Sequence, residues 1–232
     1  MVLAMTGVLS FLNRVCARSG VKACFVPRIP EIPVARDKWD TLKRLQPAHE
    51  IAVKGLGFEW KDLWRAEQIH GDVVSQIPAK GGDGKILEGA DGLVTSGSDG
   101  VLLGVYVADC AAVYICDCRT GALGLVHSGR KGTERAVVLR ALEKMSALYG
   151  SDPGDLEVAV SPCIRPPQYE VDLPALLKEQ LLEAGIPPGQ IVLSGDCTGG
   201  NVDRYYSYRV ERGKTGRMLA LLGCKRNNAQ PV

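Results

Sequence analysis

Apolar residues gather in short runs through the middle of the chain rather than in helical stripes. Leu93–Thr95, Val101–Val107, Ala111–Cys116 and Ala122–Val126 are almost continuously apolar and punctuated by glycine. Runs of this length predict central strands covered on both faces. Leu156–Val160 and Ile191–Leu193 predict two more. Helical spacing comes later: Val138, Leu142, Met145 and Tyr149 share one face of a segment from Thr133 to Tyr149. Thr133 is its expected cap, Glu134 suits its positive end and Gly150 stops it. A second helix is predicted from about Leu173 to Ala184, closed by Gly185 and Pro187, and a short one from Asp37 to Gln46. Pro27, Pro30 and Pro33 predict an extended surface loop, and Lys80–Gly84 a turn between strands. Met1–Leu12 predicts a first strand or helix. This order implies an α/β (α+β) fold of layered mixed β-sheets flanked by helices.

Composition adds limits. The 232 residues, 46% hydrophobic and 23% charged, predict one globular domain spanning 1–232. Basic and acidic residues number 28 and 26, a net charge of +2, which gives no footprint for nucleic acid or an anionic membrane. No apolar run approaches the roughly 18 residues that span a bilayer. Arg14 and Arg18 follow the apolar start instead of preceding it, the wrong order for a secretory signal. The eight cysteines are therefore expected as reduced thiols in a cytoplasmic, monomeric protein.

Three residues carry the candidate chemistry. His70 lies in Gln68-Ile69-His70-Gly71, Cys110 in Ala108-Asp109-Cys110, and His127 in Val126-His127-Ser128-Gly129. Two imidazoles and a thiolate make a zinc set with a fourth position left open, the pattern of catalytic zinc. Their spacings match no local zinc motif, so the residues alone leave a second reading, in which Cys110 is a nucleophile and His127 its base. Several coppers would need more than three histidines. Asp109 and Glu170 are acid–base candidates, and Asp109 is placed to orient its neighbour by a hydrogen bond. His127-Ser128-Gly129-Arg130-Lys131-Gly132-Thr133 reads as strand, glycine turn and helix start, where backbone N–H groups and Lys131 suit phosphate. Arg204–Arg209, rich in tyrosine, reads as a strand with tyrosines on one face or a ring-stacking surface.

At these residues the chain resembles the YfiH or laccase-domain family, long labelled multicopper polyphenol oxidase and linked to purine nucleoside phosphorolysis. The matching segments are Gln68–Gly71, Ala90–Thr95, Ala108–Cys110, His127–Gly129, Tyr169–Val171, Ser194–Thr198, Asp203–Arg209 and Thr215–Arg217. The resemblance implies that His70, Cys110 and His127 hold one zinc, and that Arg28 meets phosphate. It also implies phosphorolysis of adenosine, inosine and guanosine, with adenosine deaminase and methylthioadenosine phosphorylase activity beside it. The partners would be a purine nucleoside and phosphate, with Cys110, Asp109 and Arg28 in the catalytic centre and Arg28, Lys131 and Glu170 around the substrate. The chain departs from the family at the rim. Arg130 and Lys131 replace a tryptophan and an arginine, Val107 a threonine, Gly200 a cysteine, and Ile29–Pro33 a glycine-rich segment. A zinc-binding protein without nucleoside turnover is the corresponding alternative.

Overall fold

The computed structural model describes residues 9–77, 85–98 and 100–225. Within them the chain forms β1 (Val21–Val26), α1 (Lys38–Gly55), β2 (Leu63–Ala66), β3 (Val74–Gln76), β4 (Ile86–Leu87), β5 (Gly92–Thr95), β6 (Val101–Val107) and β7 (Ala111–Asp117). There follow β8 (Leu123–Ser128), α2 (Arg130–Glu134), α3 (Val137–Tyr149), β9 (Leu156–Val160), α4 (Leu173–Glu183), β10 (Ile191–Leu193) and β11 (Met218–Cys224). One sheet runs β1-β11-β6-β2-β4 and the other β10-β9-β7-β8-β5-β3. Both are mixed: β2 pairs β6 in parallel and β11 pairs β6 antiparallel, while β9 pairs β10 in parallel and β7 antiparallel.

Strand β7 shows why the central runs are apolar without alternation. Ala112, Tyr114 and Cys116 join the cluster that holds Phe25, Leu103 and Leu221 of the first sheet. Val113 and Ile115 join Val138, Met145, Leu177 and Leu181 of α3 and α4. Each face meets a packed layer, so every position of the strand is buried. Tyr114 also donates its hydroxyl hydrogen bond to the Cys24 carbonyl at 2.8 Å, tying the two sheets together. On the far face of the first sheet, α1 packs Leu42, Leu45, Ala52 and Val53, and its His49 ring meets Tyr106 of β6.

The six strands expected from apolar runs are present, each within two residues of its expected bounds. The helices differ more. A short first helix was expected from Asp37 to Gln46, yet α1 runs on through Pro47 to Gly55. Proline takes one hydrogen bond from the helix, and burial of Ala48, His49, Ala52 and Val53 beyond it carries the helix on. The helix expected from Thr133 is split, because Ala136 takes a left-handed conformation (φ 58°) between α2 and α3. Thr133 caps neither piece. Its hydroxyl bonds Gly129 O at 2.9 Å and Ser128 Oγ at 2.8 Å inside α2. Residues 204–209 form no strand: Tyr205 and Tyr206 are buried in a turn and only Tyr208 is exposed. Of Met1–Leu12, the described part contains a 3-10 turn at Ser10–Leu12. Lys80–Gly84 lies outside the described residues. All eight cysteines are unpaired.

Candidate metal centre

Two crossings between the sheets and one strand meet at one end of the fold. Strand β6 ends at Val107, and the chain turns through Ala108, Asp109 and Cys110 into β7 of the other sheet. His127 sits on β8 opposite Ala112, so it lies beside the start of β7. His70 stands in the loop that carries the chain from β2 to β3, again between sheets. The ligand atoms of His70, Cys110 and His127 all lie within 4.8 Å of one another. The imidazoles stand nearly perpendicular (83°), with centroids 4.9 Å apart. His127 is buried, Cys110 half-buried and His70 exposed, so the cluster opens toward solvent on the His70 side.

One carboxylate positions both imidazoles. Asp91, fully buried, accepts the His127 Nδ1 hydrogen at 2.8 Å and the backbone N–H of His70 at 3.0 Å on Oδ1. Its Oδ2 accepts from Gly71 N at 2.7 Å and Ile69 N at 3.2 Å. An ionised carboxylate can only accept, so His127 carries its proton on Nδ1 and leaves Nε2 free for a metal. These bonds also hold His70 in the left-handed region (φ 62°), where non-glycine residues are uncommon. Nearby, the Gln68 amide bonds both backbone groups of Tyr106, accepting from its N–H at 2.7 Å, and so fastens the His70 loop to β6.

Space around the thiol is equally specified. A Cβ on Gly129 would lie 2.6 Å from Cys110 Sγ and 3.3 Å from His70 Cδ2, so only glycine leaves room for the donor set. Burial opposes the Cys110 thiolate, but the charge and hydrogen bonds of His127, then of His70, outweigh it and bring the thiol down to about 6. Burial also opposes the His127 imidazolium, but the Cys110 thiolate and then Asp91 raise it to about 9. Asp91 pays desolvation as well, yet its bonds from His127 and Gly71 hold it below the usual carboxylate range. Two imidazoles and a thiolate with an oriented ring and an open side fit a borderline-soft cation such as zinc. The third histidine is elsewhere: His49 is buried in the core, where burial and then Arg65 push it down to about 3.

The other expected residues are spread around this centre. Asp109 does not orient a ligand. Its Oδ1 accepts from Thr198 Oγ1 and its Oδ2 from Arg209 N, both at 2.7 Å. Asp109 has φ 83°, which turns its carboxylate toward those loops, and Asp91, just before β5, takes the orienting role. Arg28 stacks on Tyr206 at 4.5 Å and pairs with Glu211 at 2.5 Å. Glu170 bridges two arginines, Arg130 at 3.1 Å and Arg209 at 3.0 Å. Lys131 is exposed on α2 and makes no ion pair among the described residues. Asp91, Gln68 and Gly129 were missed as site residues. Their signal was present, since each lies in or beside a segment that carried the family resemblance.

Fold and centre together define an α/β protein with two stacked mixed sheets and a candidate mononuclear metal site at their crossings. The family described as multi-copper polyphenol oxidoreductase laccase matches residues 31–172 and 169–225, and the chain belongs to it. A Deinococcus radiodurans protein named purine nucleoside phosphorylase is 34% identical over 204 residues, 75% of each chain. The Bacillus subtilis purine nucleoside phosphorylase YlmD is 27% identical over 132 residues, 44% of this chain and 48% of that one. The chain thus spans about half the length of the first curated relatives it matches. YlmD from Geobacillus stearothermophilus superposes with a TM-score of 0.79 at 25% identity, covering 89% of this chain and 93% of its own. Bacillus licheniformis YfiH has the same fold, with a TM-score of 0.79 at 24% identity over 88% and 93%.

Proposed function

We propose that this protein is a zinc-dependent purine nucleoside phosphorylase acting on adenosine, inosine and guanosine. The observation that carries the reading is the convergence of His70, Cys110 and His127 into one oriented, solvent-open donor set. The names of the relatives supply the reaction class. Phosphate oxygen bonds to the anomeric carbon as the C–N glycosidic bond breaks; the bonding electrons leave with the purine, which takes up a proton. Zinc held by the three side chains would supply electrostatic stabilisation of negative charge beside the sugar.

The protein's own groups prepare the place. Asp91 fixes the His127 tautomer, Gly129 leaves the thiolate room, and Asp109 pins the turn that presents Cys110. Ile69 beside His70 and Tyr208 near Arg217 are exposed apolar surfaces suited to a flat base. Lys131 and the free edge of Arg28 are basic groups for phosphate, with Glu170 holding the arginines of the rim. Adenosine deamination and methylthioadenosine phosphorolysis belong to the same reading. Cytoplasmic, monomeric action on small molecules agrees with the balanced charge; among the described residues no helix is long and apolar enough to cross a membrane.

Metal analysis followed by base release from inosine, adenosine and guanosine, with and without phosphate, tests the proposal. Phosphate-dependent free base is expected; ammonia from adenosine without phosphate reports the deaminase. Bound zinc with neither product would sink it and leave a zinc-binding protein. The Cys110–His127 contact favours the second reading, a cysteine hydrolase. A nucleophile pair needs one imidazole, yet His70 reaches the same sulfur. Stoichiometric zinc lost in Cys110→Ala would eliminate the hydrolase.

A further inference from the structure

Cys110 belongs to the metal centre, and the other cysteines are unpaired thiols. Two of these stand face to face. Beyond β9 the chain continues through Pro162 to Cys163, and beyond β10 through Asp196 to Cys197. The two segments stay side by side, and Cys163 and Cys197 are partners in an isolated parallel bridge. Thr198 N–H donates to the Cys163 carbonyl at 3.3 Å, and Ser194 N–H to the Val160 carbonyl at 2.9 Å. Arg165 adds a clamp, donating to the Ser194 carbonyl at 2.8 Å and the Asp196 carbonyl at 3.0 Å. Among the described residues no other two cysteines are cross-strand partners.

Neighbouring strands lie about 4.8 Å apart, and partnered residues share a face. A disulfide spans Cα atoms roughly 4.4–6.8 Å apart, so the backbone already meets that demand. The side chains agree. Cys163 is fully buried in the apolar cluster of α3 and α4, and Cys197 packs against the same cluster while staying half-buried. Only weak bonds tether the Cys197 thiol, to the Arg165 carbonyl at 3.7 Å and Gln168 Oε1 at 3.6 Å. Burial pushes the Cys163 thiol up to about 12. Cys197 is therefore the sulfur that meets an oxidant, and Cys163 the one that closes on it slowly.

We propose that Cys163 and Cys197 are a redox modification site, a dithiol that hydrogen peroxide closes into a disulfide, locking the turn that presents Cys110. The Cys197 sulfur attacks the peroxide O–O bond, giving a sulfenic acid and one water. The Cys163 sulfur then displaces the sulfenic oxygen, which leaves as a second water with the Cys163 proton. The two thiols lose two electrons, and the peroxide gains them. The residue after each cysteine carries the link to the metal centre. Ile164 N–H donates to the Asp109 carbonyl at 2.8 Å, and Thr198 Oγ1 donates to Asp109 Oδ1 at 2.7 Å. Asp109 thus hangs from both segments that the disulfide joins, and Cys110 follows it directly. None of this depends on the phosphorolytic reading: what changes is how firmly Cys110 is held. In a reducing compartment the bond is transient, formed under oxidant and reversed by thiols.

Treatment of the zinc-loaded protein with hydrogen peroxide, followed by mass spectrometry of its non-reduced peptides, tests the site. A Cys163–Cys197 cross-link is expected. Closing a loop of about 35 residues should raise the melting temperature by about 5–10 °C. Zinc should also pass to a chromophoric chelator severalfold more slowly, and dithiothreitol should reverse all three changes. Cys197→Ala, at the half-buried position, should abolish them. Cys163→Ala should do the same, and Cys197→Ala keeps the test valid if that core variant fails to fold. Cys118→Ala removes an exposed thiol past the far end of β7 and should behave as the wild type. Without bound zinc the cross-link and its melting shift would still appear, so a failed metal reading is told apart from a failed pair. Cys197 found as sulfinic acid or joined to another cysteine, with Cys163 still a free thiol, would overturn the proposal. So would a cross-link that leaves zinc release unchanged, because the Cys110 turn would then not be locked by it.

Discussion

His70 and His127 hang from one carboxylate, whereas Cys110 is presented by a turn pinned at both ends. On the histidine side, Asp91 bonds the imidazole of one ligand and the backbone of the other. On the cysteine side, Asp109 touches no ligand; it bonds Thr198 and the Arg209 amide, from loops about 90 and 100 residues away. Both acids are buried, and both lie in short turns beside strands. The difference is what they hold. Asp91 sets the tautomer and electron density of a donor, while Asp109 sets where a backbone goes. Sequence proximity to a ligand therefore does not identify the residue that tunes it.

The same exchange in both acids should separate them most strongly. Asp91→Asn removes an acceptor and introduces N–H groups facing donors, so zinc affinity should fall by roughly 10–100-fold, as for other carboxylates behind metal-bound histidines. Competition with a chromophoric chelator would measure it. Asp109→Asn suits the left-handed backbone, since asparagine tolerates φ 83°. It should cost about 1–3 kcal/mol in denaturant unfolding while keeping stoichiometric zinc. Equal zinc loss in the two variants would erase the distinction.

Gly129→Ala probes the crowded point between the two sides. Its methyl would meet Cys110 Sγ at 2.6 Å, so the thiol must shift and zinc per chain should fall; overpacking should also cost about 1–3 kcal/mol. Wild-type zinc content in this variant would show that the turn yields more easily than its two anchors suggest.

The pH response of the metal-free protein sharpens the comparison further. Cys110 is depressed from 9.0 to about 6, so its stabilisation is full above 9 and lost as pH falls through 6. His127 is raised from 6.5 to about 9, so its stabilisation is full below 6.5 and lost as pH rises through 9. Unfolding curves should therefore show this pair stabilising most between about 6 and 9, and Cys110→Ala should remove that feature. Zinc uptake requires the imidazole to lose its proton, so affinity should rise with pH across the same range. The smallest effect is expected at the rim. Arg130→Gln breaks only exposed pairs with Glu134 and Glu170 and should leave the melting temperature unchanged.

Much of this was legible in the chain. The central strands carry continuous apolar residues because each is covered on two faces, a property of the strand itself. Strands β1 and β11 were not foreseen. Met218–Cys224 is leucine- and alanine-rich, composition that suits a helix as well, and its pairing with β1 and β6 joins residues far apart in sequence. Helix α1 was expected to end near Gln46, because local propensity cannot see the sheet that buries its second half.

The sequence by itself determined the donor types, the glycine turn that follows His127, and the apolar strands that carry them. Those are local properties: a side chain's chemistry, a missing Cβ, a strand's burial pattern. Tertiary structure alone decided that Asp91 rather than Asp109 orients the histidines, and that Arg28 is paired with Glu211. Those outcomes depend on which loops two stacked sheets bring within hydrogen-bond or Coulomb range, and that distance is fixed by packing, not by position along the chain.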